Sequence, residues 1–326
     1  MQYRVLGRTG IRASEIGFGA WAIGGDQWGP QDDRESMAAL HKALDLGCTL
    51  IDTAQVYGEG HSEVLIGRVL RERGERVTVA TKVPPKNYRW GPPPGADLRD
   101  YFPADYIIKR CESSLRNLGT ETLDLYQLHT WCPSWEHETE WYEALLKLRQ
   151  QGKIRYIGIS VSDHRPGEAN PQIEAGRVDS IQVIYNILDQ SPEWRLFPVA
   201  QKHHVGIIVR VPLASGALTG KFTQRTRFPK GDWRREWKDR EWLHRMVEQV
   251  ERIQFLTQDG MPLATAALKF VLSHPAVSTL IPGIRNSQQA EMNLSASDGR
   301  PLPEEHLRRL RQMYTLGLLG AETSAG

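Results

Sequence analysis

Short apolar runs rich in valine, isoleucine and leucine alternate along the chain with longer segments that have the periodicity of amphipathic helices. Such runs are typical of parallel strands that helices cover on both faces. The predicted strands are Glu15–Gly19, Thr49–Thr53, Val77–Thr81, Leu123–Gln127, Ile154–Ser160, Ser180–Ile184, Gly206–Arg210 and Val277–Ile281. Helices are predicted between them, for example at Asp33–Leu46 and Trp135–Gln151, with Asp32 or Asp33 as the cap of the first.

The alternation of strand and helix, repeated eight times, predicts an α/β fold of the (β/α)8 or TIM-barrel type. We expect residues 1–326 to form a single domain, because no low-complexity linker or shift in composition divides the chain. A doubly wound nucleotide-binding domain is the alternative, and it requires a Gly-x-Gly-x-x-Gly motif after an early strand. Gly17 and Gly19 begin that motif, but Ala22 stands where its third glycine belongs.

Two connections are too long for ordinary barrel loops: Pro84–Phe102 after strand three and Pro212–Arg240 after strand seven. Because each follows a strand, both are predicted to lie at the C-terminal face, where the active site of such barrels is found. Long loops at that face usually bind ligands or act as lids, and a disordered insertion is the alternative interpretation.

Charge and composition exclude several classes of protein. The 326 residues carry 41 Lys and Arg against 39 Asp and Glu, a balance that argues against a dedicated nucleic-acid binder. No apolar run approaches the ~18 residues of a membrane span, and the N-terminus lacks the apolar segment of a signal peptide, so we expect a cytoplasmic protein without a membrane partner. Three widely spaced cysteines without a Cys-x-x-Cys pair predict neither a disulfide framework nor a zinc site, and no metal is expected.

Four polar residues follow consecutive predicted strands. Asp52 ends strand two and Tyr57 lies five residues further on, while Lys82 follows strand three and His129 follows strand four. A phenol with its ordinary pKa near 10 is a poor acid, but a neighbouring ammonium group lowers that pKa. A carboxylate would hold the lysine charged, and the histidine could donate a hydrogen bond to a carbonyl oxygen. Each residue taken alone has a structural alternative, but the four together predict a tyrosine that protonates an oxygen as negative charge develops on it.

From about Tyr3 to Asn293 the chain resembles the aldo-keto reductases. The motifs that carry the resemblance are Gly7–Gly10, Ser14–Trp21, Asp52–Ala54 with Tyr57–Gly58, Gly60–Glu63, Lys82, Leu125–His129, Gly152–Ser160, Pro212–Gly216 and Ile281–Gly283. The resemblance implies an NADPH-dependent reductase of small aldehydes or ketones on a (β/α)8 barrel. By the same match, Tyr57 is the general acid, Lys82 the partner that lowers its pKa, Asp52 the partner of Lys82, and His129 the residue that orients the carbonyl.

The resemblance also implies a binding site for NADPH or NADP⁺. Ser160 and Gln182 match the pair that holds the nicotinamide carboxamide. Arg210 stands where many members have a tyrosine that stacks on the nicotinamide, although an inward barrel residue paired with a carboxylate is an equal alternative. The phosphates are expected at the loops after strands seven and eight, where small residues let backbone N–H groups approach. The residues of those loops are Pro212, Leu213, Ser215, Gly216, Lys221 and Gly283.

Three further residues match the adenosine side of the family's cofactor site. Arg285 is the expected partner of the adenosine 2′-phosphate, and Gln289 and Asn293 match the adenine contacts, with a solvated helix face as the alternative for these two.

Trp21 and Trp131 are expected at the substrate pocket, although rim packing is the other interpretation for Trp131. The long loop after strand seven is similar to the bacterial-type and potassium-channel-β-like branch, so a regulatory, channel-β-type subunit with slow turnover is the rival function. The sequence leaves the oligomeric state open.

Overall fold

Eight parallel strands form the centre of the computed structural model, which describes residues 1–25, 27–237 and 239–320, apart from the side chains of residues 236 and 237. The strands in these residues are β1 (Tyr3–Val5), β2 (Arg12–Ser14), β3 (Phe18–Gly19), β4 (Leu50–Asp52), β5 (Thr78–Val83), β6 (Leu123–Leu128), β7 (Ile154–Ser160), β8 (Ser180–Ile184), β9 (Gly206–Arg210) and β10 (Val277–Leu280). Strands β3 to β10 pair in chain order, and bridges from Ile16 to Leu280 and from Gly19 to Gly283 join the two ends. The predicted (β/α)8 barrel is therefore confirmed.

Helices follow the strands and cover the outside of the barrel. They are α1 (Asp33–Asp45), α2 (His61–Arg73), α3 (Leu98–Tyr101), α4 (Ala104–Leu118), α5 (Glu140–Gln150), α6 (Asn170–Glu174), α7 (Pro192–Arg195), α8 (Phe197–Lys202), α9 (Arg234–Trp237), α10 (Arg240–Arg252), α11 (Leu263–Leu272), α12 (Ser287–Leu294) and α13 (Glu304–Thr315). Asp32 caps α1 as predicted, because its carboxylate accepts hydrogen bonds from the amides of Arg34 and Glu35 at 2.8 and 3.0 Å. Among the described helices, none combines the length and the apolar character needed to cross a membrane.

The N-terminal hairpin β1–β2 closes the bottom of the barrel. Leu6 and Ala13 of this hairpin region are fully buried, and they pack with inward residues of the strands. Those strand residues are Leu50, Ala80, Leu125, Ile208 and Ile281. Since the hairpin covers the N-terminal end, the C-terminal ends of the strands form the open mouth.

Two predicted element boundaries need correction. The first barrel strand is shorter than Glu15–Gly19, because its first residues meet β10 through an isolated bridge rather than a continuous ladder. In that bridge, Gly17 donates to the Leu280 carbonyl and Leu280 donates to the Glu15 carbonyl. The helix predicted from Trp135 begins instead at Glu140, since Pro133–Trp135 form a 3-10 turn.

Both long loops contain local structure. Pro84–Phe102 includes the short helix α3, and Pro212–Arg240 includes the 3-10 turn Ala214–Thr219 and the helix α9. The described parts of these segments are therefore ordered connections at the mouth rather than featureless insertions.

Candidate active site

A buried ion pair between Lys82 and Asp52 lies at the base of the mouth. Lys82 is the fifth residue of β5 and Asp52 is the last residue of the neighbouring β4, so parallel pairing brings both side chains to the same end of the barrel. The Lys82 Nζ donates to Asp52 Oδ1 at 2.5 Å and to the Thr53 carbonyl at 2.8 Å, and the Lys82 side chain is 0% exposed. Burial lowers the pKa of Lys82, and the adjacent Asp52 carboxylate counteracts that shift.

The second oxygen of Asp52 is held by two amides. Gln182 Nε2 donates to Asp52 Oδ2 at 2.7 Å, and Gln127 Nε2 approaches the same oxygen at 3.5 Å. Asp52, Gln127 and Gln182 come from alternate strands of the barrel, as expected for one inward layer of side chains. The sequence predicts a cofactor contact for Gln182 and no role for Gln127. The signal that could have indicated Gln127 is its polar side chain between Tyr126 and Leu128 at the end of a predicted barrel strand.

A tight turn of left-handed residues presents Tyr57 at the mouth. The next three residues, Gly58, Glu59 and Gly60, have φ values of 60°, 53° and 97°. Gly24 packs against this turn so closely that a Cβ there would lie 2.8 Å from the Gly58 nitrogen. Glycine is therefore required on both sides of the contact, and the contact fixes the backbone from which Tyr57 projects.

Tyr57 lies between Lys82 and His129. The Lys82 ammonium is 5.2 Å from the centre of the Tyr57 ring, and the His129 ring packs edge-on with its centre 5.7 Å from that of Tyr57. Both aromatic side chains are half-buried. Burial raises the pKa of Tyr57, Asp52 raises it further, and the charge of Arg210 acts in the opposite direction. The structure thus brings the four predicted catalytic residues together.

His129 is held in its neutral form. Burial lowers its pKa well below the ordinary value, and the positive charges of Lys82 and Arg210 lower it further. Among the described residues, His129 Nδ1 has no hydrogen-bond partner. The imidazole can therefore present a single N–H donor without carrying a charge.

Aromatic side chains line the mouth on two sides. The Trp21 ring stacks beside Tyr57 at 6.0 Å and 23°, and the Trp90 ring packs edge-on against His129 at 4.7 Å. Trp131, by contrast, is 1% exposed and packs between Trp135 and Trp141 in the core. The expectation that Trp131 lines the substrate pocket is corrected, because its ring is used in helix packing, and Trp90 occupies the wall on that side.

Arg210 reaches across the mouth from the end of β9. Its Nη2 donates to the Val161 carbonyl at 2.9 Å and to Asp163 Oδ1 at 2.7 Å. Val161 follows Ser160, which is buried and lies in register with Gln182 on the adjacent strand. The structure therefore shows the carboxylate pairing that was the alternative interpretation of Arg210, at the position where the sequence predicts the nicotinamide.

The segment after β9 has an unusual backbone. Val211, Ala214, Ser215 and Gly216 have φ values of 54°, 47°, 56° and 97°. Positive φ is rare for non-glycine residues and a genuine outlier for a β-branched one, and such strain is concentrated at functional sites. Two N–H groups of this segment are used within the turn, since Ala214 donates to the Val211 carbonyl at 3.1 Å and Gly216 to the Leu213 carbonyl at 2.9 Å. The strained backbone lies where the sequence predicts phosphate binding by Ser215 and Gly216, and that role stays a prediction.

The long loop after β9 is pinned to the loop after β3. The backbone of Trp233 donates to the Gln27 carbonyl at 2.8 Å, and Gly29 donates to the Gly231 carbonyl at 3.2 Å. Arg234 makes a two-point contact with the buried Asp232 carboxylate, at 2.9 and 2.6 Å, and also donates to the Ser215 carbonyl at 3.1 Å. The two loops thus form one arch over residues 214–216, a link between distant segments that nothing in the sequence pattern indicated.

Lys221 does not join these contacts. It is exposed just after the 3-10 turn Ala214–Thr219, and Arg225, Arg227 and Lys230 further along the loop are exposed as well. Pro212 is buried and Leu213 is half-buried beneath the arch. The residues predicted to bind the phosphates therefore fall into two groups: Pro212 and Leu213 are at least half-buried, whereas Lys221 is exposed among other basic residues.

Arg285 is held by the opposite end of the loop after β3. Its Nε donates to Gln31 Oε1 at 2.8 Å and its Nη2 to the Pro30 carbonyl at 2.6 Å, while Gln31 Nε2 donates back to the Arg285 carbonyl at 2.9 Å. The guanidinium is thus oriented before any ligand binds. Nothing in the sequence pattern pointed to Gln31, which lies 254 positions from its partner.

The adenosine-side residues surround the start of α12. Asn286 caps this helix, the Gln289 side chain accepts from the Arg285 amide at 2.9 Å, and the Asn293 side chain donates to the Gly283 carbonyl at 3.3 Å. Asn293 is 1% exposed and, among the described residues, its Oδ1 has no donor. A Cβ at Gly283 would meet no atom within 4 Å, so open space lies beside this backbone. The unpaired acceptor Asn293 Oδ1, the free space beside Gly283 and the N-terminus of α12 together form a surface that could bind one end of a dinucleotide.

Comparison with known proteins identifies the class. The model of the aldo/keto reductase family matches residues 15–315. The aldo-keto reductase YhdN of Bacillus subtilis (strain 168) is 32% identical over 299 residues, which are 89% of this chain and 87% of that protein. The chain therefore belongs to the aldo/keto reductase family and is an NAD(P)-dependent oxidoreductase.

Relatives within the family include proteins with different functions. The NADH-specific methylglyoxal reductase of Escherichia coli (strain K12) is 30% identical, with 89% of this chain and 92% of that protein covered. A probable voltage-gated potassium channel subunit beta of Arabidopsis thaliana is 28% identical, with 93% of both chains covered. The predicted similarity to both branches is confirmed.

Solved structures agree with the fold. The glycerol dehydrogenase AKR11B4 from Gluconobacter oxydans has a TM-score of 0.78 at 30% identity, covering 97% of this chain and 96% of that one. An aldo/keto reductase from Klebsiella pneumoniae, solved in complex with NADP and acetate, has a TM-score of 0.72 at 26% identity and 96% coverage of both chains.

Proposed function

We propose that this protein is an NADPH-dependent reductase of aldehydes or ketones, with Tyr57 as the general acid and residues 1–326 acting as a single barrel domain. The observation that carries the proposal is the buried Lys82–Asp52 pair beneath Tyr57, with neutral His129 beside it at an open mouth. These groups supply a proton donor, a fixed positive charge and a hydrogen-bond donor around one position where a carbonyl oxygen can lie.

Each residue of the set has a distinct task. Burial keeps Tyr57 protonated before reaction, so a proton is available at its hydroxyl. The His129 N–H orients the carbonyl, and Tyr57 donates its proton as negative charge develops on the carbonyl oxygen. The phenolate that remains is stabilised by the ammonium of Lys82, which Asp52 holds in place. A bound nicotinamide cofactor supplies the hydride that the carbonyl carbon receives.

The choice of NADPH rests on Arg285. Its guanidinium is oriented by Gln31 beside the capped start of α12, where a 2′-phosphate would carry the charge that distinguishes NADPH from NADH. The similarity to a protein solved with NADP supports this choice. The similarity to an NADH-specific reductase makes cofactor preference a property to be measured.

The test is reduction of a panel of aldehydes and ketones by NADPH, with Tyr57→Phe as the matched variant. The variant keeps the ring that packs beside Trp21 and His129 but has no proton to give. We expect its rate to fall by about 10² to 10⁴-fold, while its affinity for NADPH stays within about twofold of the parent's. Reduction at the parent rate would exclude Tyr57 as the acid.

A regulatory subunit is the second candidate, because a plant potassium channel subunit beta is similar over most of its length. In that function the barrel binds the cofactor and turnover is incidental. The panel separates the two proposals: turnover of 1 per second or faster, in the ordinary range of enzymes, supports the reductase. Tight NADPH binding with turnover slower by about 10³-fold or more on every carbonyl supports the subunit.

A further inference from the structure

Arg210 places a positive charge at the mouth of the barrel, in addition to making hydrogen bonds there. Its guanidinium is tied to the Val161 carbonyl, one residue beyond Ser160, at the end of the mouth opposite Arg285 in the proposed site. The side chain is 19% exposed, whereas its partner Asp163 is 69% exposed. Water therefore screens the Asp163 carboxylate much more than the Arg210 guanidinium. The buried member of the pair, which faces the interior of the mouth, is the positively charged one.

The other charges at the mouth do not cancel this one. Lys82 and Asp52 form their own buried pair, and His129 is neutral. His164, on the same loop as Asp163, is paired with Asp189, which raises the pKa of its imidazole. Glu168, which accepts from the Ser162 amide, is a further carboxylate on which Arg210 acts, and burial raises its pKa. At Tyr57 and His129, however, the charge of Arg210 is felt and that of Glu168 is not a main influence, so Arg210 is a source of positive potential near the reacting position.

The charge of Arg210 affects the pKa values of neighbouring side chains. Burial is the main influence on the pKa of Tyr57 and of His129, and in both groups Arg210 lowers the pKa as a charge acting through space. Arg210 Nε is also buried and, among the described residues, has no acceptor. A buried donor left without a partner is costly, and its persistence is typical of a functional position.

We propose that Arg210 sets the redox preference of the cofactor site, so that the protein binds the reduced nicotinamide cofactor more tightly than the oxidised one. This inference rests on the proposed function. The oxidised nicotinamide ring carries a positive charge and the reduced ring does not. A fixed cation beside Ser160 and Gln182 therefore raises the free energy of the oxidised complex and leaves the reduced complex nearly unchanged. Such a site favours carbonyl reduction and release of the oxidised cofactor.

The test is a binding titration that needs no turnover. Quenching of the intrinsic fluorescence of the mouth tryptophans gives the Kd of NADPH and of NADP⁺ for the wild type, Arg210→Gln and Arg210→Lys. We expect the ratio of the NADP⁺ Kd to the NADPH Kd to fall about tenfold in Arg210→Gln, equivalent to about 1.4 kcal/mol. Arg210→Lys should keep most of the ratio, because it keeps the charge while losing the planar hydrogen-bonding group.

Asp163→Asn is the opposite control. Removing the counter-charge leaves Arg210 less compensated, so the ratio should rise by about two- to threefold, a small effect because Asp163 is exposed. Equal loss of affinity for both cofactors in Arg210→Gln would overturn the inference and leave Arg210 as a hydrogen-bonding residue. Failure of the wild type to bind either cofactor would overturn the proposed function as well, so the two failures are distinguishable.

Discussion

The two halves of the mouth are held by different means. On the side of Tyr57, the supporting residues come from strand ends and bond to one another inside the barrel, as Lys82 does with Asp52. On the side predicted for the adenosine, Arg285 and Arg234 are held by loop residues, namely Gln31, the Pro30 carbonyl and Asp232. The first half is fixed by the sheet, whereas the second is fixed by contacts within and between loops. Of these, the Asp232–Arg234 pair is buried and the contacts of Arg285 are partly exposed.

The difference in support suggests that the Tyr57 half of the mouth serves catalysis and the Arg285 half serves cofactor binding. Side chains on rigid elements hold a reacting group within the narrow tolerance that catalysis requires. Loop contacts open at lower cost than the core does, which suits a cofactor that must enter and leave. Changes in the first half should therefore affect stability and rate, and changes in the second should affect affinity.

The largest effect is expected from Lys82→Met. The variant leaves the Asp52 carboxylate buried without its cation, with only the amides of Gln182 and Gln127 on its other oxygen. Removing one partner of a buried pair costs about 3–5 kcal/mol, and we expect a loss of that size in the free energy of unfolding, measured by urea denaturation. The double variant with Asp52→Asn should recover much of the loss. A cost below about 1 kcal/mol in the single variant would show that the pair is not the support we describe.

Arg285→Ala is expected to have the next largest effect. A charge-assisted hydrogen bond to the 2′-phosphate is worth about 1.5–3 kcal/mol, which corresponds to about ten- to a hundredfold in affinity for NADPH. Affinity for NADH should change little, because NADH lacks that phosphate. Titration of the variant with each cofactor measures both numbers. Equal losses for the two would mean that Arg285 contacts a part they share, such as the adenine ring.

The same division explains what the sequence could predict. Asp52, Lys82 and His129 lie within one residue of the C-terminal ends of β4, β5 and β6, so the barrel pattern alone places them at one mouth. The Gln31–Arg285 contact joins residues 254 positions apart through loops that have no periodicity, and only the folded chain reveals it. Trp131 was misassigned for a related reason, since a tryptophan just beyond a strand has the same pattern whether it faces the mouth or the core.

Asp232→Asn tests the arch formed by the loop after β9 and the loop after β3. Arg234 makes its two-point contact with this carboxylate, and the neutral amide should release both Arg234 and the Ser215 carbonyl that it holds. We expect trypsin to cut at the exposed basic residues Lys221, Arg225, Arg227 and Lys230 about tenfold faster in the variant than in the parent. NADPH should slow cleavage of the parent, because the loop is expected to close over the bound anion. Cleavage of the parent at the same rate with and without NADPH would contradict its role as a lid.

The smallest effect is expected from Gln31→Ala, which leaves every proposed cofactor contact in place and removes only the residue that orients Arg285. Without Gln31 the guanidinium loses the acceptor of its Nε and one of the anchors of its loop, so it must be immobilised when the cofactor binds. Ordering a long side chain costs about 0.5–1.5 kcal/mol, which predicts a loss of about two- to tenfold in affinity for NADPH and almost none for NADH. Gln31→Glu is the informative counterpart, because its carboxylate would pair with Arg285 and repel the 2′-phosphate. If Gln31 acts through Arg285, the glutamate variant should bind NADPH more weakly than the alanine variant, and in an Arg285→Ala background the alanine substitution should be silent.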